Sequence, residues 1–91
     1  MTVAVTGHFV QRVQERLPGV DPFQFAEASA WAITAQDDQI AYAGRSIRAG
    51  NVFRKFDFDF RNERHRLVVS DAEPGQMTFI TVMKVTARDE G

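Results

Sequence analysis

Three side chains near the N-terminus carry the clearest chemical pattern in this sequence. His8, Arg12 and Arg16, here called the His–Arg stripe, recur at intervals of four residues. That spacing aligns side chains along one face of a helix. Such a face could offer a phosphate two guanidinium groups and an imidazole that transfers protons near neutral pH. The pattern is equally typical of a solvated helix face on which Glu15, or an acidic residue of a sheet, pairs with an arginine.

A second group of cations lies in the middle of the chain. Residues 45–66 have a clear basic excess, whereas the whole chain has eleven basic and twelve acidic side chains and a net charge of −1. Generic nucleic-acid binders are usually basic overall, so a nucleic-acid role here must rest on a local patch. Two groups of cations at the beginnings of neighbouring predicted strands could form such a patch, if the register of the strands brings them together. Alternatively, these cations form a charged sheet edge that prevents aggregation. The groups are Arg54 with Lys55, and Arg64 with His65 and Arg66.

An alternating segment in the same region offers two further candidates. Phe56, Phe58 and Phe60 could stack nucleobases, but a sheet packed on two helices needs such a row, and we expect it in the core. Asp57 and Asp59 share the other strand face without a nearby His or third carboxylate, so we expect no metal site. The chain has no cysteine, and it shows no glycine-rich phosphate loop, zinc pattern or nucleophile elbow. No cofactor is predicted.

Length and composition bound the class of protein. A chain of 91 residues supports one hydrophobic core. Eight phenylalanines and 44% hydrophobic residues exclude a disordered tail. No apolar run approaches the roughly 18 residues of a membrane span, and no leader pattern is present. We therefore expect a cytoplasmic protein without membrane contact.

Two segments in the first third predict helices. The first follows Thr6, a suitable N-cap residue, because Phe9, Val13 and Leu17 recur every four residues. We expect these apolar residues on the helix face opposite the His–Arg stripe. The second helix is predicted to begin after Asp21, a preferred N-cap followed by proline, and to run to about residue 32 or 34.

The rest of the chain predicts a sheet. Residues 2–5 are expected as a short edge strand, and residues 77–85, the longest apolar run, as the central strand. The fold class is α+β, with two N-terminal helices packed on a mostly antiparallel sheet of about four strands. We expect one domain over residues 1–91, with a frayed tail at 86–91. The other predicted strands cover residues 40–43, 53–60 and 67–69.

These features together resemble a known family. His8 to Arg16 reads His-x3-Arg-x2-Glu-Arg, and a turn, an acidic helix start at Asp21 and a second helix follow. Two later strands are apolar, the second with Ile-Thr-Val at residues 80–82. This order is similar to small bacterial and phage domains grouped with the RelE/ParE/BrnT toxins. The resemblance covers about residues 6–85 and implies a compact, RelE-toxin-like α+β fold.

The resemblance also implies a function. Relatives of this kind cleave mRNA, commonly on the ribosome, by attack of a 2′-hydroxyl on the adjacent phosphate. By that analogy His8 would donate or accept a proton, Arg12 and Arg16 would hold phosphate oxygens, and the enzyme would need no metal. An antitoxin or another protein would be its partner. The balanced charge favours an alternative, a non-catalytic interaction module such as a phage-encoded inhibitor of a host complex. The predicted substrate-binding residues are Arg54, Lys55, Arg64, Arg66 and Lys84.

Overall fold

The computed structural model describes residues 1–85. The predicted tail, residues 86–91, lies outside the described residues. Within the described part, neither helix has the length and apolar character needed to cross a membrane. The elements in chain order are β1 (Thr2–Val5), α1 (Gly7–Arg16), α2 (Pro22–Ala35), β2 (Ile40–Arg48), β3 (Asn51–Phe60), β4 (Glu63–Ser70) and β5 (Gln76–Lys84).

The strands form one mixed sheet in the order β1-β5-β4-β3-β2. Strands β2 to β5 form an antiparallel meander, which confirms the α+β class and the mostly antiparallel sheet. Strand β1 adds to it in parallel, from Thr2 opposite Gln76 to Val5 opposite Phe79. The prediction of about four strands behind two N-terminal helices is therefore corrected. The sheet has five strands, and the short β1 precedes the helices and lies at one edge, which confirms the edge strand predicted at residues 2–5.

The longest apolar strand does not lie at the centre of the sheet. Strand β5 runs between β1 and β4, and β4 is the middle strand. A bulge opposite Val68 and Val69 shifts the pairing of β5, so that Phe79 and Val82 both reach the core. Strand β5 is thus apolar because it has a strand on each side and because the bulge lets both Phe79 and Val82 reach the core. The prediction that β5 is the central strand was wrong.

Local turn geometry extends two strands beyond their predicted limits. Strand β2 continues past residue 43 because a bulge at Ala43 and the positive φ of Gly44 (119°) carry the chain on to Arg48. Strand β4 begins at Glu63 because only Arg61 and Asn62, both with positive φ, connect it to β3. Such two-residue turns match the natural twist of a hairpin.

Side-chain caps begin both helices as the sequence indicates. The Thr6 hydroxyl accepts a hydrogen bond from the Phe9 amide at 3.0 Å. The Asp21 carboxylate accepts from the amides of Phe23 and Gln24 at 2.9 and 3.1 Å. Each cap satisfies amides that the first helical turn leaves without partners. The second helix ends one residue later than the longer prediction, at Ala35.

Both helices pack on the same face of the sheet and enclose the core. Phe9 of α1 packs against Phe79 of β5, with the rings tilted by 57° and their centres 5.5 Å apart. Phe25 of α2 contacts Phe58 of β3 at 5.4 Å. Phe56 is buried, and Phe58 and Phe60 pack against the core with partial exposure. The prediction that this phenylalanine row belongs to the core is confirmed, and neither α1 nor α2 lies on the opposite sheet face.

Candidate functional site

Helix α1 holds the His–Arg stripe on a firmly anchored element. The Thr6 hydroxyl that caps this helix also donates to the Ile80 carbonyl of β5 at 3.1 Å. Phe9, Val13 and Leu17 are fully buried beneath the helix. A helix fixed at its start by a hydrogen bond to the sheet, and along its length by buried side chains, presents its outer face in one orientation.

The stripe is accessible to solvent. His8 and Arg16 are exposed and Arg12 is partly exposed. Each directly precedes one of the three buried apolar residues, so it lies about 100° around the helix from that residue. The stripe therefore flanks the buried face of α1. The predicted position opposite that face is corrected, because residues adjacent in sequence cannot lie on opposite sides of a helix.

Within the stripe, His8 and Arg12 are in contact. Arg12 donates from Nε to Nε2 of His8 at 3.4 Å, and from Nη1 to Glu15 at 2.7 Å. Gln11 donates weakly to the other Glu15 oxygen at 3.5 Å. Arg16, one turn beyond Arg12, makes no hydrogen bond or ion pair with any residue among 1–85. The stripe thus combines one imidazole, one guanidinium that a carboxylate holds in place, and one unengaged guanidinium.

Two of the predicted sheet cations form paired hydrogen bonds with aspartates. Arg54 bonds Asp71 from Nε and Nη2 at 2.6 and 2.9 Å. Arg66 bonds Asp57, directly across from it on β3, at 2.8 and 3.1 Å. Paired bonds of this kind are the strongest arginine–carboxylate geometry, so a phosphate would have to displace a carboxylate to use either cation.

In the described part of the chain, the other predicted sheet cations lack such paired bonds, and all but one of them contact a carboxylate. Arg64 contacts Asp59 at 3.2 Å, and both side chains are largely exposed. Lys84 forms an ion pair with Glu63. A hydrogen bond from Lys84, together with its positive charge, lowers the pKa of the Glu63 carboxyl. Lys55 is the exception, since it forms no ion pair within residues 1–85.

The sheet separates the predicted substrate-binding residues between its two faces. Lys55, Arg64 and Arg66 lie on the face without helices, whereas Arg54 and Lys84 lie on the helix side. Along the strands, Arg54 pairs with Val69 while Arg66 pairs three residues away with Asp57. That offset is about 10 Å at the rise of a strand. The register thus separates Arg54 from the second group, whereas Lys55, which pairs with Val68, is a diagonal neighbour of Arg66 on the same sheet face. The five predicted cations do not form one patch.

His65 has a structural role that the sequence pattern concealed. Its side chain is almost fully buried on the helix side, stacked on Phe58 with ring centres 5.5 Å apart and edge-on to Phe60 at 6.1 Å. Its Nδ1 lies 3.1 Å from the Glu63 carbonyl, which can only accept, so Nδ1 carries the proton. The available signal in the sequence was that His65 lies two residues before the apolar Leu67, on the same face of β4.

The structure also shows a cleft that sequence reasoning missed. It lies between α2 and the beginning of β2, has a volume of about 710 Å³, and is bordered by the exposed indole of Trp31. We call it the α2–β2 cleft. The available signal was that apolar residues occur all around α2, among a few polar ones such as Gln24 and Glu27, which is unusual for a helix with one face in solvent.

The described residues offer no evident metal centre. Over residues 1–85, no three His, Asp or Glu side chains group closely enough to hold an ion. Asp57 and Asp59 do share a strand face, but each is bonded to an arginine. The side chains of the His–Arg stripe can perform proton transfer and electrostatic stabilisation.

Comparisons with protein-family models, with curated proteins and with solved structures found no match to this chain.

Proposed function

We propose that this protein is a RelE-like endoribonuclease that binds an RNA phosphate at the His–Arg stripe. The observation that carries the proposal is the contact between His8 and Arg12 on the accessible flank of an anchored helix, with Arg16 one turn away. A proton-transfer group and two guanidiniums on one surface can promote phosphodiester cleavage. The sequence motif of this helix is the same one that resembles the toxin group.

The stripe supports a reaction in which the RNA supplies its own nucleophile. His8 accepts the proton of a 2′-hydroxyl while the bond between O2′ and phosphorus forms. The bond between phosphorus and the 5′ oxygen breaks, and solvent protonates the departing oxygen. Arg12 and Arg16 stabilise the negative charge that develops on the phosphate oxygens. The products are a 2′,3′-cyclic phosphate and a 5′-hydroxyl.

The neighbouring carboxylate sets a condition on this mechanism. Arg12 donates both to Nε2 of His8 and to Glu15. A base needs a free lone pair, so the guanidinium must turn away from the imidazole when it binds a phosphate. Glu15 competes for the same guanidinium. The Glu15→Gln variant should therefore bind RNA more tightly than the parent protein.

The test is cleavage of mRNA, with and without ribosomes, by the parent and by variants of the stripe. Arg12→Ala or Arg16→Ala should slow cleavage by about 10²–10³-fold, the usual loss when a transition-state charge contact is removed. The melting temperature should fall by no more than about 4–8 °C, because exposed charges contribute at most about 1 kcal/mol. Lysine at either position should restore little, since an ammonium lacks the paired donors of a guanidinium.

A matched control comes from the β2–β3 hairpin. Arg48 is exposed and without an ion pair among residues 1–85, so Arg48→Ala removes the same charge from a distant surface. It should cleave RNA like the parent. Absence of cleavage by the parent, with and without ribosomes, would refute the proposal. Equal loss in Arg48→Ala would show that only net charge matters.

The alternative function is a non-catalytic interaction module. The observation in its favour is that four of the five predicted substrate-binding cations already contact carboxylates. Expression in a bacterial host separates the two functions. An RNase should arrest growth, and His8→Ala should abolish the arrest. A module that inhibits a host complex should give a phenotype that survives the loss of His8.

A further inference from the structure

Helix α2 carries an exposed aromatic surface that the proposed RNase site does not use. Trp31 is 67% exposed and Phe23 is 58% exposed, although most large apolar side chains of the described residues are covered. The two rings lie eight residues apart, and Glu27 lies midway between them on the same helix face. Single exposed apolar residues are common on protein surfaces, so the surroundings of each ring decide its significance.

The surroundings distinguish Trp31 from Phe23. Trp31 borders the α2–β2 cleft, whose lining includes Phe58, Ile40 and the alanines at positions 28 and 32. The short alanine side chains leave space beside the indole, and Phe58 and Ile40 supply apolar surface within the cleft. Phe23 is outside this lining. The cleft is therefore suited to receive a bulky apolar side chain against Trp31.

The lining of the cleft is more acidic than basic. Asp37, Asp38, Asp57 and Asp59 line it together with Arg64. Arg64 contacts Asp59 and Arg66 bonds Asp57, which leaves Asp37 and Asp38 without an ion pair among residues 1–85. No Lys, Arg or His occurs anywhere in residues 17–44, the segment that contains α2 and the beginning of β2. Positive charge on an incoming segment would be attracted here, and negative charge would be repelled.

We propose that the α2–β2 cleft is a docking site for a cationic, apolar segment of another protein. One bulky apolar side chain of that segment contacts Trp31 and Phe58, and flanking Lys or Arg residues face Asp37 and Asp38. Exposed tryptophans beside a pocket are frequent energetic centres of protein interfaces. This surface does not include the His–Arg stripe, so docking and RNA cleavage can be tested separately.

The experiment begins with selection of random 12-residue peptides displayed on phage. The parent protein is the target, and peptides that also bind Trp31→Ala are removed. Enriched sequences should combine Lys or Arg with Leu, Ile, Phe or Trp. Enrichment of acidic sequences, or no enrichment once the Trp31→Ala binders are removed, would overturn the proposal.

Synthetic copies of the enriched peptides then give affinities. Trp31 is the only tryptophan of the chain, so a peptide that covers it should shift its fluorescence to shorter wavelength in a saturable manner. Anisotropy of a labelled peptide should show at least about a 30-fold loss of affinity for Trp31→Ala, as for an interface hot spot. Asp37→Asn and Asp38→Asn should each weaken binding roughly 1.5- to 5-fold, the effect of a partly exposed charge pair.

Two controls complete the test. Phe23→Ala removes an exposed aromatic ring from the same helix outside the cleft, and it should bind the peptide like the parent. A peptide with Glu in place of each Lys and Arg should not bind, and equal binding would refute the charge argument. Sedimentation should show a monomer. A dimer that Trp31→Ala abolishes would place a second copy of this chain in the cleft and overturn the proposal.

Discussion

Replacement of Phe79 by alanine should remove a large part of the stability of this protein. The Phe79 side chain is fully buried in β5 and lies 5.5 Å from the Phe9 ring of α1. Its truncation leaves a cavity where the first helix packs on the sheet. Truncation of a buried phenylalanine to alanine typically costs about 3–5 kcal/mol. Domains of this class have about 5–15 kcal/mol in total.

The cost is large enough to measure as a shift in melting temperature. For a domain of this length, each kcal/mol lowers the melting temperature by about 4–8 °C, so Phe79→Ala should lower it by about 12–40 °C. Circular dichroism is the suitable signal, because the single tryptophan is already exposed and reports poorly on the core. Urea denaturation of the same samples gives the free energy of unfolding directly.

A matched phenylalanine serves as the control. Phe23 is exposed on α2, and Phe23→Ala should change the free energy of unfolding by no more than about 0.5 kcal/mol. If Phe79→Ala melted like the parent, or if both variants lost equal stability, the helix–sheet packing described above would be refuted.

Two further predictions concern the hairpins. Lys84 lowers the pKa of the Glu63 carboxyl in the folded protein. The pair therefore stabilises the fold fully at pH values above the ordinary pKa of a glutamate, and this contribution is lost as the pH falls through the lowered pKa. In an NMR titration, Lys84→Gln should raise the pKa of Glu63, and an unchanged value would contradict the assigned ion pair. Ala49 and Gly50 both have positive φ in the β2–β3 turn, so Ala49→Asn, which supplies the favoured Asn-Gly pair, should raise the free energy of unfolding by about 1 kcal/mol. A loss of stability in urea denaturation would show that this turn has another conformation.

Local signals explain why much of the fold was predictable. Thr6 and Asp21 mark the helix starts because their side-chain oxygens accept from amides only two or three residues away. The alternation at Phe56 and Phe58 marks a strand because side chains on neighbouring positions point to opposite faces. These interactions act over a few residues, so the sequence displays them directly.

The candidate site was predictable to a smaller extent. The four-residue spacing of the His–Arg stripe places its members along one accessible flank of α1, and the structure shows this arrangement. The pairing of Glu15 with Arg12 was one of the alternatives visible in the sequence. The fate of the sheet cations was not predictable, because Arg66 meets Asp57 only in one particular register of β3 and β4.

Amino-acid sequence alone determined the class of fold, the helix boundaries to within a few residues and the alignment of the His–Arg stripe along α1, since each depends on neighbours along the chain. Tertiary structure decided three other features. It placed β1 in parallel beside β5, more than 70 residues away along the chain. It buried His65 between two phenylalanines, and it left Trp31 exposed at the edge of a cleft. All three depend on which distant segments meet when the sheet forms. Until that packing is known, the same residue pattern is compatible with a buried or an exposed position.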